Sequence, residues 1–434
     1  MITKPWRIPP GPEKYNPSQD LLSWMSDRFE QFGNIYIASI NGASVYVVSD
    51  PRYANYILRE HSQNYKKGRA IKRVGMLLGQ GLIVSDGEFW KSQRRMIQPA
   101  FHHEAIGALA NVMTTANVTL LRKWERAARE KSTVNLTRDI SLTILEVLLI
   151  SIFGDDYERV AQSFSILSSE PARDLSFAQA FRSLGKIVLQ ISSQRREENR
   201  TSADILSVLM EARDRESGQA MPDRQLVNEI MTLIVAGHET TASTLNWTWH
   251  LLAQHPDAEE TLSREIGALL GSEFPELGDL PKFAYTRQVI EEAMRLYPPV
   301  WLIPRKAIKD DQLDEYLVPA GTEICISPYL IQRHPALWEA PDRFDPDRFG
   351  PDQVRDRHAL AMLPFSAGPR KCIGELFARI EMHMHIIIIA KSLRLRSVGG
   401  TPVEFDADVN LRSKHDFIMA PEIKARTTLS ERRY

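Results

Sequence analysis

Hydrophobic and polar positions alternate with two different periods in different parts of the chain. Between residues 35 and 50, apolar and polar residues alternate on both sides of Asn41-Gly42, a dipeptide that favours a tight hairpin turn. From about residue 88 to 270, apolar positions recur mostly at helical spacing. These patterns predict a β-hairpin near the N-terminus, followed by a long and largely helical region.

One predicted helix is longer than the others. It should begin at Pro222-Asp223, because proline and aspartate favour the first turn, and end near Gln254, before His255-Pro256. A helix of that length would span about 45 Å, enough to cross a large domain. The helix predicted over 142–153 is apolar nearly all round and is therefore expected to be buried. Other helices are predicted over 18–32, 285–296 and 374–393, and strands over 300–308, 317–319, 322–327 and 402–420.

The order and composition of these segments set the fold class and exclude some functions. Helices dominate, strands cluster towards the two ends, and no repeat or linker occurs, which predicts a single mainly α (α+β) domain over residues 1–434. Lys and Arg number 54 against 55 Asp and Glu, so the chain lacks the excess of basic residues that would indicate binding to nucleic acid. The short apolar runs and the polar N-terminus predict no membrane anchor. Two cysteines cannot form a disulfide framework, so we expect a cytoplasmic protein.

One of the two cysteines, Cys372, lies in the unusual sequence FSAGPRKCIG. Gly368 and Gly374 flank it, so the backbone can turn tightly or approach a flat ligand closely. Arg370 and Lys371 favour the thiolate over the thiol, as do the free N–H groups of the helix predicted to follow. These features fit either a nucleophile or a haem ligand. The other cysteine lies in an alternating strand and is interpreted as a small buried apolar residue.

This decapeptide matches the pattern F-x-x-G-x-R-x-C-x-G and resembles the haem-ligand loop of the cytochrome P450 family. Five positions match at fixed spacing, so the pattern is specific. The resemblance implies the helix-rich P450 fold and haem b as the cofactor. It also implies that Cys372 is the axial ligand of the iron, and that Phe365, Arg370 and Gly374 contact the haem.

The long helix contains Ala-Gly-His-Glu-Thr-Thr, which resembles the family's oxygen-binding stretch. Gly237 inside a helix costs about 1 kcal/mol relative to alanine, and a flat macrocycle lying against Ala236 and Gly237 would explain it. The Thr240 hydroxyl can bond the Ala236 carbonyl and loosen the helix. The resemblance implies that Thr240 and Glu239 deliver protons. The alternative is a buried helix whose polar side chains bond its own backbone, whereas a zinc H-E-x-x-H motif fails because residue 242 is Ala242.

A second pair of motifs resembles the family's structural core. Glu292 and Arg295 match E-x-x-R, and a spacing of three places them on one helix face. The segment from Trp338 to Phe349 resembles W-x-x-P-x-x-F-x-P-E-R-F, with Asp347 at the usual glutamate position. By this resemblance Arg348 completes a buried Glu292–Arg295–Arg348 network with a structural role. A surface ion pair is the alternative for E-x-x-R taken alone.

The two haem propionates need cationic partners. Trp90 and Arg94 lie four residues apart on one helix face and resemble the family's W-x-x-x-R propionate pair. Arg305, ten residues after Arg295, matches another basic position, and Arg370 is a further candidate. For each arginine the alternative is an ordinary surface residue.

The resemblance also places a pocket for a lipophilic substrate near region 67–88. Its predicted lining is mostly apolar, and core packing is the alternative for each residue. Only about fifty residues separate Gly154 from Asp204, where the family's two pocket-roof helices usually lie, and 191–202 is rather polar. The region therefore looks compact, and the resemblance leaves open the shape and closure of the roof and, with them, the size of the substrate. The candidate substrate-binding residues are Leu233, Val300, Trp301, Leu302, Ile303 and Phe417.

The implied function is a haem-thiolate monooxygenase that inserts one oxygen atom from O2 into a C–H or C=C bond. Its substrate would be a fatty acid, a terpenoid or another lipophilic natural product. No flavin or iron–sulfur motif occurs, so electrons should come from a separate ferredoxin or flavodoxin with an NAD(P)H-dependent reductase. This partner is expected to dock on a basic face. The face is predicted to comprise Lys91, Arg94, Arg95, Arg370 and Lys371.

Two other functions remain open. The same fold can serve a peroxygenase or an enzyme of coupling or rearrangement, and a haem-thiolate protein can act as a non-catalytic sensor. The adjacent Glu239 and Thr240 argue against a peroxygenase and against a sensor, because neither needs a proton-delivery pair.

Overall fold

Helices make up most of the chain in the computed structural model, which describes residues 6–16, 19–40, 42–165, 175–271, 273–399, 403–407 and 410–424. The α-helices of these ranges are α1 Leu21–Phe32, α2 Pro51–Asn55, α3 Arg69–Leu78, α4 Gly87–Ile97, α5 His103–Gly107, α6 Ala110–Arg129, α7 Leu136–Phe153, α8 Tyr157–Ser165, α9 Leu175–Glu197, α10 Ile205–Glu211, α11 Asp223–Gln254, α12 Pro256–Leu269, α13 Ala284–Leu296, α14 Pro328–Ile331, α15 Pro351–Val354 and α16 Glu375–Ser392.

The strands are short and form small sheets. They are β1 Glu13–Lys14, β2 Ile35–Ile40, β3 Ala43–Val48, β4 Tyr65–Lys67, β5 Val134–Asn135, β6 Ile303–Ala307, β7 Asp311–Leu313, β8 Tyr316–Val318, β9 Glu323–Ile326, β10 Leu393–Ser397, β11 Phe405–Ala407, β12 Leu411–Ser413 and β13 Ile418–Ile423. The largest sheet has the order β1-β2-β3-β9-β6-β4. The class is therefore mainly α with small sheets, as predicted.

The N-terminal hairpin forms as the alternation predicts. Strands β2 and β3 pair antiparallel, with Ile35 opposite Val48 and Ile40 opposite Ala43. Gly42 has φ +72°, the left-handed conformation that glycine adopts readily, while Asn41 lies outside the described residues. At the far edge of the same sheet, β4 pairs with β6, which places Lys67 opposite Arg305. The register thus brings Lys67 next to a predicted propionate-binding residue.

The long helix α11 runs through the middle of the core. It begins at Asp223 and ends at Gln254, as the sequence predicted. It packs against α7, α13 and α16, and its second half is almost entirely buried. The Ala-Gly-His-Glu-Thr-Thr stretch lies near its centre, where Ala236, Gly237, His238 and Thr240 are half-buried and Glu239 is exposed.

Two predicted boundaries were wrong because capping residues were missed. The Asn135 side chain accepts a hydrogen bond from the Arg138 N–H, so α7 begins at Leu136, and Leu142 is 41% exposed on it. The Asp20 side chain caps α1, which begins at Leu21. Residue 18, the predicted start of that helix, lies outside the described residues.

The region between Gly154 and Asp204 is mainly helical. It contains α8 and α9, and α9 continues to Glu197, well into the stretch expected to be compact and polar. Residues 166–174 lie outside the described ranges. Two helices therefore occupy the place where the sequence raised a doubt about the roof.

A buried ion pair joins α13 to the segment before α15. Arg295 Nε lies 2.6 Å from Glu292 Oε2, and both side chains have no exposed surface. Arg348 Nε lies 3.5 Å from Glu292 Oε1, and the Asp345 N–H donates to the same oxygen at 2.9 Å. The Arg295 guanidinium also lies over the Trp338 ring, 5.0 Å from its centroid. The group therefore connects α13 with the distant segment that contains Trp338, Asp345 and Arg348.

We predict that Glu292→Ala lowers the free energy of unfolding by about 3–5 kcal/mol, because it leaves the Arg295 guanidinium buried without its carboxylate. Urea unfolding of the purified protein measures the change. The matched control is Glu404→Ala, which removes the carboxylate of an exposed pair with Lys414 and should leave the midpoint unchanged. Equal midpoints for the two variants would contradict a structural role for this group.

Candidate active site

The cysteine lies at the end of a tight loop that leads into α16. Its N–H donates to the Phe365 carbonyl oxygen at 2.9 Å, and the Lys371 N–H donates to the Gly368 carbonyl oxygen at 3.0 Å. Ser366 and Gly368 both have positive φ, +59° and +70°. The Gly374 N–H donates to the Cys372 sulfur. The loop thus fixes the sulfur just before the N-terminus of α16.

Gly368 is needed for a second reason besides its backbone conformation. A Cβ atom there would lie 1.8 Å from the carbonyl oxygen of Leu58. Leu58 belongs to a short π-helix, Tyr56–Glu60, a rare conformation that is frequent at functional sites. The cysteine loop is therefore in direct contact with the backbone of this π-helix, and no side chain fits at position 368.

The environment of Cys372 fits an iron ligand. Cys372 is an exposed residue, yet the protein atoms around its thiol raise the pKa of the thiol by burial. The Gly374 N–H, Arg94 and Lys371 all act to lower that pKa, while Glu375 raises it. The effect of burial on the pKa of Cys372 is therefore larger than the effect of the nearby positive charges, which the sequence predicted would favour the thiolate. A bound metal cation would reverse this balance, because a coordinating thiol is deprotonated.

Buried cations exceed buried carboxylates beside the cysteine loop. Arg305 is 7% exposed, and burial, followed by the nearby Arg370 charge, lowers its pKa to about 10. Burial and Arg370 also lower the pKa of Lys67 to about 7. The carboxylates near these cations are Asp86, which pairs with Arg370, and Glu229, whose charge acts on Lys67. An excess of buried positive charge fits the two propionates of a haem group.

The predicted propionate pair lies beside these cations. The Arg370 guanidinium lies over the Trp90 ring, 4.5 Å from its centroid. Arg94 Nη1 donates to the Lys371 carbonyl oxygen at 2.6 Å. The structure thus brings Trp90, Arg94, Arg305 and Arg370 to the side of the cysteine loop. Sequence reasoning missed Lys67, because only the β4–β6 register places it opposite Arg305.

Two threonine side chains in the middle of α11 form hydrogen bonds to the backbone of their own helix. Thr240 Oγ1 donates to the Ala236 carbonyl oxygen at 2.8 Å, and Thr244 Oγ1 donates to the Thr240 carbonyl oxygen at 3.0 Å. The structure gives Gly237 a different reason from the predicted one. A Cβ atom on Gly237 would lie 3.2 Å from the Leu148 side chain, so its small size lets α7 approach α11.

Glu239 points away from the helix interior, towards the C-terminal hairpin. Its side chain is 52% exposed and accepts a hydrogen bond from Asn410 Nδ2 at 3.0 Å. Arg412 lies 4.0 Å from the other carboxylate oxygen and pairs more closely with Asp406, at 2.7 Å. Sequence reasoning missed Asn410 and Arg412, since no local signal connects residues this far apart.

The predicted substrate-binding residues do not form one wall. Leu233 is buried on α11, one turn before Ala236, whereas Val300 is 38% exposed. Trp301 packs in the core around α1 and the N-terminal sheet, and Leu302 borders the same cluster. Ile303 belongs to a separate cluster of the largest sheet.

Phe417 likewise lies in the core. Its ring is stacked on His250, with the centroids 4.7 Å apart, and lies 5.4 Å from the centroid of Trp247. These contacts favour the alternative of core packing for Phe417, as the clusters do for Trp301 and Ile303.

The predicted basic face is partly neutralised. Lys91 pairs with Glu88 at 2.7 Å, Arg95 with Glu216 at 2.9 Å and Lys371 with Glu375 at 2.5 Å. Arg370 pairs with Asp86. Four of the five cations therefore have a carboxylate beside them, and the face is less positive than the sequence suggested.

No helix in the part of the chain that the structure describes is long and apolar enough to cross a membrane. Within the same ranges, no group of three or more His, Cys, Asp or Glu side chains is arranged to hold a metal ion.

Comparisons with known proteins agree with the cysteine motif. The family model described as cytochrome P450 matches residues 13–179 and 160–414. Cyclooctatin synthase of Streptomyces melanosporofaciens is 31% identical over 86% of this chain and 85% of its own. Cyclooctat-9-en-7-ol 5-monooxygenase of the same organism is 32% identical over 85% of this chain and 84% of its own. The crystal structure of the cytochrome P450DA heme domain superposes with a TM-score of 0.85, at 23% identity, over 97% of this chain and 99% of that one.

We predict that Gly368→Ala destabilises the protein by more than the about 1–2 kcal/mol expected for positive φ alone, because the new methyl group meets the Leu58 carbonyl. Bound haem per chain and the thermal midpoint should both fall. Gly218→Ala is the matched control, since Gly218 has φ +69° but nothing within 4 Å of a Cβ position. If Gly368→Ala behaves like this control, the π-helix does not seat the loop.

Proposed function

Since the chain belongs to the cytochrome P450 family, we propose that this monooxygenase hydroxylates a lipophilic small molecule of terpenoid type. The monooxygenase activity and the haem cofactor follow from the family. The observation that carries the proposal is the accessible Cys372 thiol, which a hydrogen-bonded loop holds just before α16. We further propose that residues 1–434 form one haem domain.

Several side chains would hold the haem. Cys372 would bind the iron, and the buried Arg305 with the half-buried Lys67 and Arg370 would bind the propionates, with help from Trp90 and Arg94. Phe365 lies under the Arg379 guanidinium, 4.8 Å from ring centroid to Cζ, which fixes its ring at the start of the loop. Haem supplies the activation of O2 when it is bound.

On α11, Thr240 and Glu239 would have separate parts in proton delivery. The Thr240 hydroxyl donates to the Ala236 carbonyl, so its lone pairs remain free to accept a hydrogen bond from water beside the helix. The Glu239 side chain is 52% exposed, so solvent reaches its carboxylate, which accepts a hydrogen bond from Asn410 and lies 4.0 Å from Arg412. The backbone of Ala236 and Gly237 would contact the haem.

The substrate class is inferred from relatives and from apolar side chains. One relative is named for oxygenating cyclooctat-9-en-7-ol at position 5, a cyclic alkenol. In this chain Leu233 is an apolar residue on the same helix face as Ala236 and Thr240. A hydrocarbon-rich cyclic alcohol or its parent hydrocarbon is therefore the substrate type that we propose.

Electrons would come from a separate ferredoxin with its NAD(P)H-dependent reductase, or from a flavodoxin. We propose that this partner docks on the face formed by Lys91, Arg94, Arg95, Arg370 and Lys371. Because carboxylates neighbour four of these cations, we expect the attraction to be moderate and orientation to depend on individual pairs.

The test supplies the purified protein with a ferredoxin, a ferredoxin reductase, NADPH and a panel of cyclic terpene hydrocarbons and alcohols under 18O2. We expect a product that carries one 18O atom. Faster turnover with H2O2 alone would indicate a peroxygenase. NADPH consumption with no oxygenated product from any panel member would favour a sensor.

We predict that Thr240→Ala lowers the product formed per NADPH by about 10-fold or more, because proton transfer by a positioned group contributes about 10²–10⁴-fold to the rate. Uncoupled NADPH oxidation and H2O2 release should rise in step. Thr248→Ala is the control, since Thr248 makes the same type of bond to a backbone carbonyl, at 2.7 Å, two turns further along α11. Equal coupling in the two variants would remove Thr240 from proton delivery.

We predict that reversing two charges of the basic face, Lys91→Glu with Arg95→Glu, slows reduction by ferredoxin about tenfold at low ionic strength. Stopped-flow reduction measures the rate at increasing NaCl. The difference from the wild type should shrink as salt screens the charges. Unchanged rates at low salt would place the docking site elsewhere.

A further inference from the structure

The segment between α3 and α4, residues 79–86, lies directly on the first half of α11. A Cβ atom on Gly81 would lie 1.9 Å from Thr232 Oγ1, and one on Gly79 would lie 2.4 Å from Asn228 Oδ1. At Gly81 a Cβ atom would also lie 2.7 Å from the Asn228 carbonyl oxygen of the α11 backbone, whereas at Gly79 it would meet only the Asn228 side chain. The segment is therefore in close contact with α11, and at Gly81 this contact reaches the helix backbone.

Two buried charged side chains hold both backbone polar groups of Leu82 in this segment. Glu229 Oε2 accepts a hydrogen bond from the Leu82 N–H at 2.8 Å, and Lys67 Nζ donates to the Leu82 carbonyl oxygen at 2.6 Å. Glu229 has no exposed surface. Gln225 Nε2 donates to its second oxygen at 2.6 Å and to the Gln80 carbonyl oxygen at 3.1 Å. We call the Glu229–Leu82–Lys67 contact the latch.

The latch lies on the functional face of α11. Glu229 precedes Ala236 by seven residues and Thr240 by eleven, so at 3.6 residues per turn the three share one helix face. Leu82 is 8% exposed, and Val84 packs so closely on Gly75 that a Cβ atom there would lie 2.8 Å from it. Residues 79–86 therefore form a packed wall and not a solvent loop.

A fully buried carboxyl group is costly, and packing alone does not require one. Burial raises the pKa of Glu229 to about 7, while the Leu82 N–H, Gln225 and the Lys67 charge act to lower it. The carboxyl group can accept the Leu82 hydrogen bond in either protonation state, because its carbonyl oxygen remains an acceptor. The contact therefore does not depend on titration.

We propose that Glu229 is a positioning residue that fixes residues 79–86 on α11 and thereby sets the width of the pocket beside Thr240. It would determine which lipophilic ligands fit, without touching the reacting atoms. The inference rests on the proposed function, since the wall matters only if the space beside Thr240 receives a ligand. Lys67 couples the same wall to the buried cations of the proposed propionate site.

The test compares the wild-type holoprotein with Glu229→Leu, which removes both acceptor oxygens, and Glu229→Gln, which keeps one. Imidazole and clotrimazole, a small and a bulky azole, are titrated by the shift of the Soret band. We expect Glu229→Leu to change the clotrimazole Kd about tenfold and the imidazole Kd less than about twofold. Glu229→Gln should restore the clotrimazole Kd to within about threefold of the wild type.

Hydrogen exchange followed by mass spectrometry supplies a readout independent of ligands. In Glu229→Leu, amides of residues 79–86 should exchange about tenfold faster, while those of the cysteine loop keep the wild-type rate. Glu381→Gln is the control, because it alters a carboxyl group of α16 that is only 1% exposed and makes no hydrogen bond to this segment among the described residues. If Glu229→Leu does not fold, Gln225→Leu should loosen the same segment by a smaller factor.

The proposal would be overturned if amides 79–86 exchanged at the wild-type rate in the Glu229 and Gln225 variants and if both azoles bound these variants with wild-type affinity. Equal loosening by Glu381→Gln would also overturn it, by showing a general loss of stability. A wild-type protein that binds neither azole at haem iron would instead contradict the proposed function, and the exchange measurement would still decide on the latch.

Discussion

A sulfur ligand inside a protein has to be held at one point, because burial opposes its negative charge and a mobile loop would let it leave the metal. In this chain the constraint is met by backbone geometry. The Cys372 N–H bonds to Phe365, the Gly374 N–H bonds to the sulfur, and Gly368 is pressed against the Leu58 carbonyl. The π-helix beneath the loop and α16 after it therefore fix where the sulfur lies, and the rest of the site is arranged around that point.

The second constraint is charge. Besides burial, the Arg370 charge lowers the pKa values of Lys67 and Arg305, while the carboxylates of Asp86 and Glu229 lie close enough to act on this group. Like charges buried together are unfavourable in isolation, so this arrangement fits a site that is completed by an anionic ligand. Lys67 also bonds the Leu82 carbonyl, which links the cation cluster to the segment lying on α11. In the proposed assignment, Lys67 therefore connects the anchoring of the cofactor to the shape of the pocket.

Local sequence signals predicted the parts of the molecule that local physics determines. The hairpin around Gly42 and both ends of α11 were visible in alternation, proline and aspartate, and the cysteine motif has a spacing that indicated haem. Contacts between distant segments were not visible. Lys67 acquires its place through the β4–β6 register, Asn410 reaches Glu239 across 171 residues, and Gly237 makes room for Leu148 of α7. Apolar residues such as Trp301 and Phe417 were ambiguous, since core and pocket positions have the same composition.

The most direct measurement is the visible difference spectrum of the dithionite-reduced protein with and without CO, recorded for the wild type and for Cys372→Ser. A thiolate opposite CO shifts the Soret band strongly to the red, and we expect this band in the wild type and its loss in the variant. A histidine-type CO spectrum, or no haem signal in the wild type, would contradict the assignment of Cys372 as the iron ligand and the function built on it.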